Sequence, residues 1–434
     1  MTLALPRYET SAGALARGEY LVRSALFLVC FLLITLTPSP FPNLGDPQLL
    51  EPVGDGSLFG QLVMVALTGV LSLFVVARAP RLARQAVTPA LVILFCWITL
   101  TAALSPHPDL ALRRSVLAMF TVANAIAFVL LPEGRRHFAW LLAIGTLIVL
   151  ATCYAGVLLF PQVSIHQATD VIEYSLAGAW RGAFGHKNGA GASMVVFIFI
   201  GIFVARAASR PAGLTIIAAS AVFLVFTMSK SPMGLLPIAA ALAYLLLNAR
   251  RPAAKWALLV AIVLVVNLLT IGTVAFEPVH ALLTGILPDS SFTGRDEIWQ
   301  FAIDRTLDRP VTGFGFQAFW GSPEMVLDWK PDETWAMRAS DAHNAYVNLS
   351  VMIGLVGLAL ALVWIVAQPL ADLIADRRKA FDPALTMLFA QLWMLGLCLS
   401  GTESVLLGGG DFLWFMMVVS IIGLRMQRCS QLGQ

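Results

Sequence analysis

One histidine stands out as a candidate for chemistry. His343 lies in the stretch DAHNAYVNLS, directly before a long apolar run. A neutral imidazole near pH 7 can accept a proton from a hydroxyl group, whereas serine or lysine first needs activation. Asp341 and Asn344 are close enough in sequence to orient the ring. The alternative interpretation is an amphipathic anchor at a membrane interface, so the residues make His343 a candidate general base and leave the anchor open.

Cationic residues mark three further stretches, RGAFGHKNGAG, MSKSPMG and TGRDEIWQ. Arginine binds phosphate oxygens through a planar fork, and lysine supplies a point charge. These cations can therefore hold a lipid phosphate or diphosphate, or they can form salt bridges with carboxylates such as Asp170 and Asp296. Both interpretations stay open from the residues. The candidate binding residues are Arg181, Lys187, Lys230 and Arg295, with His186 and Asn188 in support.

Other common catalytic arrangements are missing from the sequence. There is no GxSxG motif of the hydrolase type. The five cysteines include no CxxC pair, and no His/Cys/Asp/Glu pattern has metal-ligand spacing. We therefore expect neither a metal site nor a cofactor.

The composition sets the class of protein that must position these residues. Of 434 residues, 59% are hydrophobic and 12% charged, and the mean hydropathy is +0.82. Apolar runs of membrane-spanning length recur throughout, which predicts an all-α polytopic membrane protein. We predict about twelve spans, near 22–38, 57–77, 86–104, 112–131, 138–160, 189–207, 213–229, 232–249, 256–276, 345–368, 383–400 and 411–425.

The distribution of Lys and Arg predicts the orientation. With both termini in the cytoplasm, most of the 28 cationic residues fall in short inside connections. The whole chain, 1–434, then forms one integral membrane domain, and its one long loop, 277–344, lies outside between spans nine and ten. Within that loop we predict an amphipathic helix that is N-capped by Thr293 and starts near Arg295. The alternative function for this helix is a lid on the membrane surface.

The motifs resemble a known family. In order, RGAFGHKNGAG, SKSPMG, TGRDEIWQFAIDRTLDRPVTGFGFQAFW and DAHNAYVNLSVMIGLVGL are similar to the O-antigen ligase and polymerase family of bacterial membrane glycosyltransferases. The resemblance covers roughly 179–357, with a similar many-helix layout on both sides. One departure is Pro232, which stands in the "SKS" turn where family members often carry arginine.

The resemblance implies a GT-C-like, metal-independent glycosyltransferase of the bacterial inner membrane with its active site in the periplasm. The donor is a saccharide on undecaprenyl diphosphate, and a sugar hydroxyl attacks its anomeric carbon with inversion. Carried over by motif, His343 is the base, and Arg181 and Arg295 hold the diphosphate. Partners expected from the resemblance are the lipid-linked donor and acceptor, the membrane lipid, and a flippase and chain-length regulator of the same pathway. Nucleic acid is not expected.

Three functions remain as hypotheses at this point. GHKN resembles the exopolysaccharide polymerase branch, which favours a polymerase over a ligase that transfers glycan to lipid A–core. A flippase or transporter is the alternative from another class. Transporters usually show two paired halves and carry charged residues near the bilayer midplane. The ionisable residues of this sequence are instead predicted to lie on one face of the membrane.

Overall fold

The computed structural model describes residues 7–37, 40–46, 58–171, 174–285, 295–322, 325, 339–375, 381–408 and 411–430. This part of the chain is helical apart from turns, short 3₁₀ segments and one isolated bridge between Ile165 and Trp180. The helices are α1 Arg7–Leu36, α2 Leu58–Arg78, α3 Pro80–Ala86, α4 Pro89–Ala103, α5 Pro108–Leu130, α6 Arg135–Leu159, α7 Lys187–Ala207, α8 Arg210–Phe226, α9 Lys230–Asn248, α10 Pro252–Leu268, α11 Gly272–Ala275, α12 Glu277–Thr284, α13 Arg295–Asp308, α14 Ala345–Leu362, α15 Gln368–Ala375, α16 Pro383–Leu399 and α17 Phe412–Ser430.

The predicted polytopic helical class is confirmed. Eight helical segments of the described chain are long and apolar enough to cross a membrane, or nine if α3 and α4, bent by 68°, form one broken span. The apolar helices α8, α10 and α16 are shorter, at 17 residues each. Each predicted span contains helix, but the number of crossings and the orientation remain predictions.

Local sequence signals explain where several helices begin. Thr88, Ser209 and Asp382 each accept a hydrogen bond from a backbone N–H of the first helical turn. A proline follows at the first or second helical position in each case, where its missing N–H costs nothing. These caps fix the N-termini of α4, α8 and α16.

Helix α7 forms the centre of the bundle and packs most extensively against α8. Gly201 and Gly213 allow the two backbones to approach closely, because a Cβ on Gly213 would lie 2.5 Å from the Gly201 carbonyl oxygen. Small residues commonly permit such packing between membrane helices. The N-terminus of α7, which carries Lys187 and Asn188, is therefore held on a rigid element.

On the predicted cytoplasmic side, arginines pair with carboxylates. Arg425 and Arg428 both contact the buried Asp372, at 2.8 and 2.5 Å. Arg135 contacts Asp382 at 2.8 Å. Salt bridging therefore accounts for these cations without any ligand.

Helix α14 is broken in its middle at Gly354, which has φ 71° and ψ 175°. The segment 310–315 docks into the break. The N–H groups of Phe314 and Gly315 donate to the carbonyls of Val351 and Met352, both at 2.9 Å. The Ile353 carbonyl accepts from Trp97 Nε1 at 2.9 Å. Backbone groups freed inside an apolar bundle need such partners, so the break fixes the long loop onto the bundle.

We predict that Gly354→Ala strongly destabilises the protein. A Cβ there would lie 1.9 Å from the Val311 carbonyl oxygen, and this backbone conformation is essentially restricted to glycine, costing about 1–3 kcal/mol for other residues. Thermal unfolding in detergent, followed by size-exclusion chromatography, should show a melting temperature lower by several degrees or no monodisperse protein. The control is Gly234→Ala in α9, where a Cβ meets nothing within 4 Å. Equal melting temperatures for the two variants would contradict the prediction.

Candidate functional site

Glu403, in the turn after α16, is the point where residues from distant parts of the chain meet. Its carboxylate is 3.3 Å from Arg295 Nη2 and 3.5 Å from His343 Nδ1. Asn188 Nδ2 donates to Glu403 Oε1 at 3.2 Å. Arg295 Nη1 also donates to the Thr402 carbonyl. The structure therefore brings three of the sequence-predicted residues together around one acid that the sequence patterns did not single out.

The backbone and the neighbouring acids orient His343. The residue has a positive φ of 46°, and its N–H donates to Asp341 Oδ1 at 2.7 Å. The same Asp341 oxygen is 3.6 Å from His343 Nδ1. Nδ1 thus faces two carboxylates, while the side chain as a whole is 33% exposed.

Two neighbours of His343 fix the segment and not the ring. Asn344 is buried and caps α14, accepting from the N–H groups of Tyr346 and Val347. Its own amide donates to the Gly401 carbonyl at 3.0 Å. Trp299 Nε1, on α13, donates to the Ala342 carbonyl at 3.0 Å. Of the two residues predicted to orient the imidazole, Asp341 therefore contacts it, and Asn344 anchors the helix beside it.

The contacts shift the acid–base properties of the cluster. Burial lowers the pKa of His343, but the Glu403 contact and the charge of Asp341 outweigh burial, so the pKa lies above its ordinary value. Burial raises the pKa of Glu403, yet the contact with His343 and the charge of Arg295 leave it below the ordinary value. Burial also raises the pKa of Asp411 to about 6, with Glu403 and Asp341 adding to the rise. The cluster therefore favours an ionised Glu403 beside a basic His343.

The GHKN segment, residues 185–188, contacts the Glu403 cluster through Asn188. Ser229 Oγ donates to Asn188 Oδ1 at 2.8 Å, which fixes the amide that contacts Glu403. Lys187 Nζ donates to the Met228 carbonyl at 3.3 Å. His186 caps α7 by accepting from Asn188 N at 3.1 Å. Lys230, the first residue of α9, follows the same turn and is exposed.

Arg181 forms its hydrogen bonds with residues outside the Glu403 cluster. Its side chain is 1% exposed, and its guanidinium donates to the carbonyls of Phe184, at 3.0 Å, and Pro42, at 2.5 Å. Burial lowers its pKa, against the charge of Asp170. These contacts give Arg181 a structural role in the loop before α7. Its contact with a diphosphate remains a prediction.

Helix α13 packs against the bundle instead of lying as a separate lid. Phe301 and Ala302 are buried in a cluster with Phe314, Phe319 and the start of α14. The predicted cap Thr293 lies outside the described residues, and the helix begins at Arg295. This packing sets the direction of Arg295 toward Glu403.

One sequence signal for the missed acid exists. The stretch SGTESVLLGGGD places Glu403 and Asp411 in an otherwise uncharged connection between two apolar helices. Ionisable residues beside membrane segments are expensive and often functional. Which cations they meet depends on residues more than 50 positions away, and no local pattern reports that.

The site has the groups for acid–base and electrostatic catalysis. Around Glu403 it combines the His343 imidazole, the Arg295 guanidinium and the Asp341 carboxylate. Lys187 and Lys230 lie at the neighbouring turn. Within the described residues, no group of three or more His, Cys, Asp or Glu is placed to hold a metal ion. An imidazole oriented by carboxylates can take a proton from a hydroxyl, and nearby cations can stabilise a departing anion.

Comparisons with known proteins agree with this chemistry. Residues 214–362 match the family model described as O-Antigen ligase (Wzy_C). The chain is also 26% identical over 300 residues to the exopolysaccharide production protein ExoQ of Rhizobium meliloti (strain 1021). That alignment covers 66% of this chain and 65% of the relative, just under two thirds of its length. Over residues 214–362 the chain is thus similar to the O-antigen ligase family, and over a longer stretch it is similar to an exopolysaccharide production protein.

Proposed function

We propose that this protein polymerises a secreted or surface bacterial polysaccharide. The growing glycan is transferred from undecaprenyl diphosphate to a sugar hydroxyl of a new lipid-linked repeat unit. The observation that carries the proposal is the convergence of Asn188, Arg295 and His343 on Glu403. These residues come from four separate segments of an apolar bundle, and assembling such charges there is costly unless they have a use.

His343 is the general base in this proposal. The acceptor hydroxyl oxygen forms a bond with the anomeric carbon of the donor, and the bond from that carbon to the diphosphate oxygen breaks. The hydroxyl proton moves to His343 Nε2. Glu403 and Asp341 face Nδ1, so they keep a proton on that nitrogen and stabilise the imidazolium that forms. A carboxylate serves the histidine of a serine protease in the same way.

Arg295 is the residue best placed to hold the leaving diphosphate. Its guanidinium reaches Glu403 and the Thr402 carbonyl through two nitrogens, which fixes its plane next to His343. Lys187 and Lys230, at the neighbouring turn, supply further positive charge. Fixed cations in a partly dehydrated site stabilise a departing diphosphate without a divalent ion, so the reaction is proposed to be metal-independent.

The location follows from the substrate and from the predicted orientation. Both termini lie in the cytoplasm, and the site opens at the periplasmic face of the inner membrane. The lipid tail of the substrate explains why the cations stand at helix ends, such as the starts of α7, α9 and α13. A flippase and a chain-length regulator are the proposed functional partners.

A polymerase is favoured over a ligase by two observations. GHKN resembles the polymerase branch, and the relative ExoQ is described by its name as an exopolysaccharide production protein. A ligase uses the same donor and the same catalytic groups but transfers the glycan to lipid A–core. The two differ in the acceptor, which the experiment below distinguishes.

We predict that His343→Ala abolishes polymer formation in cells. Loss of the base should slow transfer about 10²–10⁴-fold. Glycan analysis should show single repeat units retained on the carrier lipid and no high-molecular-weight polysaccharide. The matched control is His280→Ala in α12, which should make polymer normally.

Other glycan patterns would contradict the polymerase proposal. Long chains on the carrier lipid with unsubstituted lipid A–core would identify a ligase. Normal polymer from His343→Ala, with repeat units trapped on the cytoplasmic leaflet only when the whole protein is deleted, would identify a transporter.

We predict that Glu403→Gln shifts the pH dependence of the rate to lower pH. The base acts in its neutral form, so the rate should rise as pH passes through the raised pKa of His343. Removing the Glu403 charge removes a cause of that rise. The acidic limb of the variant's pH–rate profile should therefore lie at lower pH. Its maximal rate should also be reduced, because Arg295 loses its carboxylate partner. Rates of purified enzyme between about pH 5 and 9 provide the measurement.

Glu297→Gln is the control for this experiment, because Glu297 is an exposed acid in the same helix as Arg295. Its profile should match the wild type. An unchanged acidic limb in Glu403→Gln, or a shift to higher pH, would contradict the assignment of His343 as the base coupled to Glu403.

A further inference from the structure

A second histidine–carboxylate pair lies just behind the GHKN segment. His166 Nδ1 is 3.0 Å from Asp170 Oδ2, and the same oxygen accepts from Gln167 N at 3.1 Å. His166 is only 1% exposed and Asp170 is also buried. The pair is held on a small hairpin, because His166 exchanges two backbone hydrogen bonds of 2.9 Å with Gly178 and Ala179. Burial keeps this imidazole from reaching a substrate, so it is not a second catalytic base.

The pair instead contacts the first turn of α7. Lys187 N donates to His166 Nε2 at 3.3 Å. The first N–H groups of a helix have no partner within the helix and need an external acceptor. Nε2 can accept only if the ring proton sits on Nδ1, and an ionised Asp170 holds it there. The Asp170–His166 contact therefore sets the tautomer that caps the helix.

The capped turn leads directly to the site. Asn188 follows Lys187, and its side chain donates to Glu403, which in turn contacts His343 and Arg295. The groups facing His166 are Asp170, the His186 ring at 5.4 Å and the charge of Arg181. The buried Arg181 guanidinium ties the same loop to the Pro42 carbonyl, so the loop and the helix start form one supported unit.

We infer that His166 and Asp170 are positioning residues for glycosyl transfer, acting through the N-terminus of α7 on Asn188 and Lys187. This inference rests on the proposed function. It gives a role to a buried pair that is separate from the cluster of Glu403 and His343. When the imidazole adopts the other tautomer, the start of α7 loses one hydrogen-bond acceptor that caps it. Loss of such a cap in other helices lowers the population of the capped helix about 2- to 30-fold.

The test is a double-mutant cycle on the full-length protein in detergent or nanodiscs. The variants are Asp170→Leu, His166→Gln and the double variant, with kcat/KM measured on a lipid-linked repeat unit. Asp170→Leu frees the imidazole tautomer and should lower kcat/KM about 2- to 30-fold. Glutamine offers Oε1 in place of Nε2 without any tautomer, so His166→Gln should retain most of the activity. In that background Asp170→Leu should have little further effect.

Two matched variants separate the proposed role from general damage. Asp170→Asn keeps an oxygen in place and should stay near wild type, because that oxygen can still accept from Nδ1–H. Asp109→Asn, at an exposed acid in the first turn of α5, should also be neutral. A loss that is equal in both residue-166 backgrounds, or no loss in Asp170→Leu, overturns the inference.

Melting temperatures of the wild type, Asp170→Leu, His166→Gln and the double variant make the test independent of the proposed function. If the wild type forms no glycosidic bond, the proposed function fails, and the cap is then tested by the cycle in melting temperature alone. Coupling there supports the helix cap, and additivity overturns it. Coupling in melting temperature without coupling in kcat/KM overturns the positioning role.

Discussion

An ionised carboxylate among membrane helices must have partners, and Glu403 dictates much of what surrounds it. Its charge is stable there because Arg295, His343 and Asn188 approach from three directions. Removing any one partner leaves the others with an uncompensated charge or amide, which is costly in a low-dielectric setting. The same contacts place an imidazole beside an arginine. A requirement of stability therefore produces the arrangement that catalysis needs.

The rest of the fold holds those partners in place. Helix α13 is packed through Phe301 and Ala302, so Arg295 points inward. The break at Gly354 lets the loop after α13 dock into α14, whose first turn follows His343. Sites supported by packed elements keep their geometry better than sites on free loops. The long connection is thus part of the bundle's architecture over its described residues.

The sequence patterns predicted the polytopic helical class, because long apolar runs report membrane burial directly. The twelve spans stay a prediction, since the described residues contain eight or nine candidate spans. The patterns also named Asn188, Arg295 and His343 as candidate residues, and the structure brings these side chains together at Glu403, while their shared function stays a prediction. They missed Glu403, since an acid in a short turn has no motif of its own and its partners lie far away in sequence. They also could not show that Arg181 is buried on backbone carbonyls, because an arginine near glycines looks the same whether it binds phosphate or peptide groups. They did not predict the break in α14 either, because the residues that contact it, 310–315, lie elsewhere in the sequence.

The family resemblance and the geometry of the site both support the proposed chemistry, transfer of a glycan with loss of a lipid diphosphate in a polymerase reaction. Glu403 and His343 should then act as a unit, and groups that act as a unit lose activity non-additively. The most direct measurement is kcat/KM for Glu403→Gln, His343→Gln and the double variant. We expect the double variant to be no slower than His343→Gln alone. Losses that simply multiply would show that the two residues act independently, and would contradict the central role of their contact.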